Sequence, residues 1–262
     1  MININYLGSK RKFYKEICPI INTYIKENNI TEFYDVFCGG AIIAEHIECN
    51  KVYANDLSPT LIALHKQAQT DFSRIPISQT RELFNHAREQ FNIILKNLSD
   101  KKTLEDYQKL VDMPLYEIGA YEWYCSFSAR GFGGGYGCLT KDRDLFAERR
   151  RNQLKQSQTE GYQKIIFTQG NYLNLEIPQN TLLYCDAPYR ECKPYGISPH
   201  FNHTKYYDWL RKMSKTNPIF ISEEQMPDDF PIIWTKNAKR TPNQYNKKEV
   251  IEKLYFIDNR EI

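Results

Sequence analysis

Asp186 stands at the top of an apolar climb in TLLYCDAPYRE, Thr181 to Glu191, and is followed by Ala187, Pro188 and Tyr189. A carboxylate at the exit of a buried strand has two uses: it caps the next turn, or it accepts hydrogen bonds from a ligand. Two other acids share that placement. FYDVFCGGA puts Asp35 at the end of an aromatic and β-branched run just before Gly39-Gly40, and KVYAND ends on Asp56. Ligands of open α/β sheets bind beyond the carboxyl ends of the strands, so the three acids can share one crevice. The glycine pair permits a tight turn and close backbone approach, and an acid ending the neighbouring strand can hold ribose hydroxyls. These features point to a nucleoside-bearing cofactor; their structural alternative is a glycine turn and a helix cap. The glycines do not follow G-x-G-x-x-G, which argues against a plain dinucleotide site. HFNH, His200 to His203, lacks a third ligand, and no metal is expected.

The elements that must position these residues read as follows. TEFYDVF and KVYAND are strands, and AIIAEHIE and SPTLIALHKQA are helices, the second with Ser58 as N-cap and Pro59 in the first turn. Such β-α-β-α order implies a parallel sheet covered by helices. From about 68 to 163 the pattern turns helical. TRELFNHAREQFNIIL places Leu83, Phe84, Ala87, Phe91, Ile94 and Leu95 on one stripe, LEDYQKLV and YEIGAYEWYCSF also read as helices, and the glycine-rich SARGFGGGYG follows. KIIFTQG, TLLYCD, PIFISE, FPIIWTK and KLYFID read as strands and KYYDWLRKMS as a helix. The expected fold is an α/β, Rossmann-like core with a mostly parallel sheet, formed by 1–67 and 164–262, interrupted by a mainly helical insertion over 68–163.

Composition bounds the rest. The 262 residues are 41% hydrophobic and 26% charged, ordinary for a globular protein, and the net charge of +3 does not by itself name a nucleic-acid partner. Seven cysteines without a C-x-x-C pair fit reduced thiols. With no signal-peptide segment and no apolar run of about 18 residues, a cytoplasmic location (a host-cell interior, if viral) and no membrane partner are expected.

Five motifs, INYLGSK, DVFCGGA, NDLSPTLI, LLYCDAPY and IFISEEQMPDDF, occur in the order found in Dam-like and phage-type DNA adenine-N6 methyltransferases, and the whole chain resembles that family. The resemblance implies S-adenosylmethionine as methyl donor and adenine N6 in duplex DNA, reached by base flipping, as acceptor. It implies that Tyr6 and Lys10 belong to an N-terminal cofactor segment, that Asp35, Phe37 and Gly39 form the methionine-side loop, that Asp56 holds the ribose and Asn171 the cofactor adenine, and that Asp186, Ala187, Pro188 and Tyr189 are the catalytic tetrapeptide, Asp186 also bordering the cofactor. The adenine amine is a poor nucleophile because its lone pair is delocalised into the ring. Two acceptors, the Asp186 carboxylate and the carbonyl of residue 187, would turn that lone pair toward the methyl group, with Tyr189 stacked on the base. No metal is required.

The family's tetrapeptide is Asp-Pro-Pro-Tyr. Ala187 keeps the carbonyl and loses the fixed φ of proline. Asn171 stands where an acid is frequent. For DNA recognition the resemblance points to SARGFGGGYGCLTKDRD: Arg130 on a guanine edge, Phe132 or Tyr136 as a wedge, Lys141 and Arg143 nearby. The alternative is a solvated surface loop. ERRRNQLKQ, SKRK and KNAKR read either as exposed faces or as phosphate grips. Two functional alternatives stay open: a catalytically degenerate DNA-binding homologue, and an exocyclic-amine methyltransferase acting on cytosine N4 or RNA. The recognition sequence, the biological role (restriction-modification, regulation or viral marking) and the oligomeric state are not legible, although a monomer on DNA is compatible with the reading.

Overall fold

The computed structural model describes residues 9–127, 130–140, 143–189, 201–243 and 246–260. Helix α1 (Tyr14–Glu27) leads into β1 (Glu32–Asp35), α2 (Ile42–Glu45), β2 (Lys51–Asp56) and α3 (Pro59–Thr70). The insertion follows as α4 (Arg81–Lys96), α5 (Leu104–Gln108), α6 (Leu115–Cys125), the short β3 (Leu139–Thr140) and β4 (Arg143–Asp144), α7 (Leu145–Ser157) and α8 (Glu160–Gln163). The chain then returns through β5 (Ile165–Gln169), β6 (Leu182–Cys185), α9 (His203–Met213), β7 (Ile219–Glu223), β8 (Ile232–Asn243) and β9 (Asn246–Ile257).

The described strands form a seven-stranded, Rossmann-like sheet in the order β5-β2-β1-β6-β7-β9-β8, with β3 and β4 paired separately. The first five run parallel, and β9 and β8 add antiparallel. β1 lies between β2, its successor in the chain, and β6, which the chain reaches only after the insertion. This is the switch point at which α/β sheets open a crevice. Alternate residues face opposite layers. Phe33, Leu182 and Tyr184 join Ile17 and Ile21 of α1, whereas Tyr34, Leu183 and Cys185 join Tyr206 and Leu210 of α9. Both faces are covered, so these strands read as continuous apolar runs.

The insertion has its own core, with Phe84 and Phe91 of α4, Tyr107 of α5 and Ile118, Trp123 and Tyr124 of α6. Helix α3 serves both cores: Ile62 packs on the sheet, and Leu61, Leu64 and Ala68 pack into the insertion. Its N-cap is Ser58, whose hydroxyl accepts from the Leu61 amide at 3.3 Å. The α4 stripe differs from expectation at one end. Leu83 is 37% exposed and Gln90 is buried in its place, the Gln90 carboxamide accepting from the Asp112 amide.

Where α6 crosses α3, a Cβ on Gly119 would stand 2.4 Å from the Thr60 carbonyl oxygen. Backbone cannot yield as a side chain can, so Gly119→Val is expected to destabilise the fold by about 1–3 kcal/mol or more. Thermal denaturation checks this; an unchanged Tm would show that the helices part freely.

Candidate active site

Asp35, Asp56 and Asp186 all lie at carboxyl ends of parallel strands, on β1, on β2 and one residue past β6. Lys10, from a single 3-10 turn over Lys10–Lys12, reaches across them. It is 3% exposed, so SKRK is not a uniformly solvated basic stretch. Its ammonium donates to Asp186 Oδ1 at 2.7 Å and to the Tyr189 hydroxyl at 2.8 Å, and sits 3.4 Å from Glu252 Oε1. Tyr189 donates in turn to Glu252 Oε1 at 2.5 Å. Burial alone would lower the Lys10 pKa, but Asp186 and Glu252 hold it above its ordinary value, and the ammonium stays charged. One lysine thereby ties the first and last residues of the tetrapeptide together. Ala187 is buried among Leu183, Cys185 and Tyr206.

Asp35 is 2% exposed, and its Oδ1 has no hydrogen-bond partner among the described residues. Burial, then the charge of Asp186, pushes its pKa well up, against the pull of the Phe37 and Ala44 amides. Asp35 lines a cleft with Lys10, Phe37, Gly39 and Asp186. A buried acceptor without a donor is costly, and a ligand bearing N–H groups would satisfy it.

Asp56 holds the glycine loop. Its Oδ2 accepts from the Gly39 amide at 3.2 Å and its Oδ1 from the Ser58 amide at 2.9 Å; burial lifts its pKa to about 6. It therefore braces the turn into α3, and the remaining lone pairs leave capacity for a hydroxyl donor. Gly39 turns at φ +46°, which glycine adopts without strain. His65 braces the same loop from behind, with Nε2 2.8 Å from the Gly39 carbonyl and Nδ1 2.7 Å from the Tyr162 hydroxyl. Burial lowers its pKa to about 4, so the ring is neutral and Nε2 donates. Phe37 is half-buried, packed edge-on to Phe201 and Tyr206. The Asn171 carboxamide oxygen accepts from the Leu173 amide, leaving its N–H groups for another partner.

The glycine-rich segment departs from expectation. Phe132 is 7% exposed and wedged between Phe84 and Phe91, each 5.2 Å away, so its ring packs into the insertion core. Tyr136 is pinned as well: its hydroxyl donates to Gln79, Phe84 packs edge-on, and the Arg81 guanidinium lies 4.9 Å from its ring. Glycine flanking lets these rings fold inward, where apolar area is removed from water. The exposed aromatic is Phe127, at 62%, lying over Gly137, where a Cβ would come within 2.7 Å of the Phe127 Cβ. Arg130 is exposed. Tyr6, Lys141 and His200 lie outside the described residues, as does the side chain of Arg143. ERRRNQLKQ is not a phosphate-gripping face as a whole, because Arg149 is buried and donates to the Tyr124 and Ser126 carbonyls. In KNAKR, Lys236 pairs with Glu16.

Glu252, Glu223, His65 and Glu122 are the site residues that sequence reading did not single out. Glu252 sits in an alternating strand, and nothing in the spacing of KKEVIEKLYF marks it as inward. Burial lifts the carboxyls of Glu122 and Glu223 from an ordinary 4.5 to about 8. In the unfolded chain both ionise near 4.5, so their contribution to stability is full below that pH and is lost as pH rises toward 8. His65 acts oppositely, losing stability only as pH falls from 6.5 toward 4. The two carboxyls together are expected to lower stability by up to about 5 kcal/mol between pH 6 and 8.5. Denaturant titrations across that range check it, and stability that climbs steadily with pH contradicts it.

Among the described residues no group of three or more His, Cys, Asp or Glu could hold a metal ion, and no helix is long and apolar enough to cross a membrane. Six described cysteines are free thiols. The chain is 22% identical over 193 residues to the type II methyltransferase M.FokI of Planomicrobium okeanokoites, and 23% identical over 195 residues to the modification methylase StsI of Streptococcus sanguinis. Each match covers 71% of this chain and 28% of the relative, so the chain matches little more than a quarter of either protein's length. The D12 class N6 adenine-specific DNA methyltransferase family matches residues 6–217. That span takes in the glycine loop, Asp56, the insertion and the Asp-Ala-Pro-Tyr turn, and the chain belongs to this family.

Proposed function

We propose that the protein transfers a methyl group from S-adenosylmethionine to adenine N6 in duplex DNA, the target base being extruded into the crevice. The observation that carries this is Asp186, held 2.7 Å from the buried Lys10 at the mouth of the cleft that also holds the unpartnered Asp35 Oδ1. The donor set fits the cofactor: Asp35 suits an ammonium group, Asp56 a ribose hydroxyl, and the Asn171 N–H groups a ring nitrogen. When bound, the cofactor supplies an electrophilic methyl group. Lys10 holds the Asp186 carboxylate in place through its 2.7 Å contact. Asp186 and the residue 187 carbonyl accept from the amine, favouring the pyramidal geometry that frees its lone pair. Tyr189, with its hydroxyl anchored by Lys10 and Glu252, offers a fixed face for the base. Extrusion of that base costs a few kcal/mol, at about the level one wedging aromatic can offset. We assign that wedge to Phe127 and the guanine contact to Arg130. We divide the chain into a catalytic core of 1–67 and 164–262 and a recognition insertion of 68–163, with α3 belonging to the cores of both.

Incubation with labelled cofactor and mixed-sequence duplex DNA, followed by nucleoside analysis, tests the reading. Label in N6-methyladenine supports it; label in cytosine moves the target to N4; DNA binding without transfer leaves a degenerate homologue. Asp56→Ala is expected to weaken S-adenosylmethionine binding by about 1–3 kcal/mol, through the lost hydroxyl acceptor and the loosened Gly39 loop. Calorimetry showing unchanged affinity would confine Asp56 to bracing the Gly39 loop and the turn into α3.

A further inference from the structure

Glu122 of α6 is 1% exposed, and its Oε2 accepts from the Thr60 hydroxyl at 3.0 Å. Thr60 Oγ1 is 3.1 Å from Ser58 Oγ. The Ser58 amide donates to Asp56, and Asp56 accepts from Gly39. An unbroken series of contacts therefore runs from the glycine loop, through the first turn of α3, into the insertion. On its other side Glu122 abuts the glycine-rich segment: a Cβ on Gly131, which turns at φ +56°, would lie 2.7 Å from Glu122 Oε1. That segment is closed by the Phe127 amide on the Gly135 carbonyl and the Gly137 amide on the Cys125 carbonyl. Phe127 and Arg130, both exposed, thus belong to a stretch that abuts the Glu122 carboxyl at Gly131.

We propose that Glu122 is a positioning residue that couples ligand binding at Asp56 to the DNA-facing segment 127–137. The inference rests on the methyltransferase reading above for its two ligands. A hydroxyl donor engaging Asp56 redistributes the lone pairs that hold Ser58 and Gly39, and the change passes through Ser58 and Thr60 to Glu122. A neutral, hydrogen-bonded side chain transmits it as well as an ionised one, since the contact is Thr60 donating to a carbonyl-type oxygen. Among the described residues, the charge of Asp56, from β2, works with burial to raise the Glu122 pKa.

Two measurements decide it. In the ligand-free protein, Glu122→Ala and Thr60→Val are expected to speed hydrogen exchange at the Phe127, Gly135 and Gly137 amides about tenfold or more while leaving β1 and β6 amides unchanged; unaltered exchange at the three amides overturns the contact's role. For the coupling, S-adenosylhomocysteine and a mixed-sequence duplex are titrated alone and together. Wild type is expected to bind each about 5- to 150-fold more tightly in the presence of the other. Glu122→Gln is expected to keep that factor, and Glu122→Ala and Thr60→Val to reduce it to within about twofold of unity, each single-ligand affinity changing less. Coupling that survives both substitutions overturns the proposal. Wild type that binds neither ligand sinks the methyltransferase reading and the proposed coupling with it, whereas the exchange result still decides the contact.

Discussion

Replacing Asp186 with alanine is expected to abolish methyl transfer, with a rate loss on the order of 10²–10³ or greater, while cofactor affinity changes only a few-fold. The carboxylate stands one residue beyond β6, and its Oδ1 is 2.7 Å from the Lys10 ammonium, so its orientation is set before any base arrives. Losing it removes the charged acceptor of the amine and leaves Lys10 with Glu252 and the Tyr189 hydroxyl. The measurement is single-turnover methylation of duplex DNA alongside calorimetry of cofactor binding. Near-normal turnover would remove Asp186 from the chemistry; a collapse of cofactor affinity would recast it as a cofactor residue.

The second large effect is expected at Lys10. Lys10→Met keeps the length and apolar stem and deletes the charge that two carboxylates share. Removing one partner of a buried ion pair costs about 3–5 kcal/mol, because an uncompensated charge stays behind. Here the stranded groups are Asp186 and the buried Glu252. The sign follows from the raised pKa of Lys10: its interactions stabilise the fold below the ordinary lysine value and fade only at strongly alkaline pH. The variant is therefore expected to be destabilised at neutral pH, where wild-type Lys10 is charged and paired. Methyl transfer falls with it, because Tyr189 and Asp186 lose their common anchor. Chemical denaturation at neutral pH reads the stability, and a variant as stable as wild type would mean that the acids find other partners.

Much of the core was legible because parallel strands with two covered faces leave an unmistakable apolar run, and their exits are marked by Asp35, Asp56 and Asp186. Ser58-Pro59 announced the start of α3 by side-chain chemistry that acts within three residues. What tertiary structure decided was the direction in which individual residues point. Phe132 and Tyr136, set among glycines, read as free to meet DNA, and the insertion core took them instead, because burying an aromatic ring there outweighs leaving it in water; Phe127, two residues past the helix, is left outside. Lys10 and Arg149, in basic runs that read as solvated or phosphate-facing, turn inward because buried acceptors await them: Asp186 and Glu252 for Lys10, helix-end carbonyls for Arg149. Glu252 and Glu122 carry no local signal, since each becomes part of the site through a partner far away in sequence, Lys10 in one case and Thr60 in the other. The sequence by itself determined the chemistry available at the strand ends. Which charges pair across the crevice, and which aromatic faces outward, depended on contacts between distant segments that no local pattern encodes.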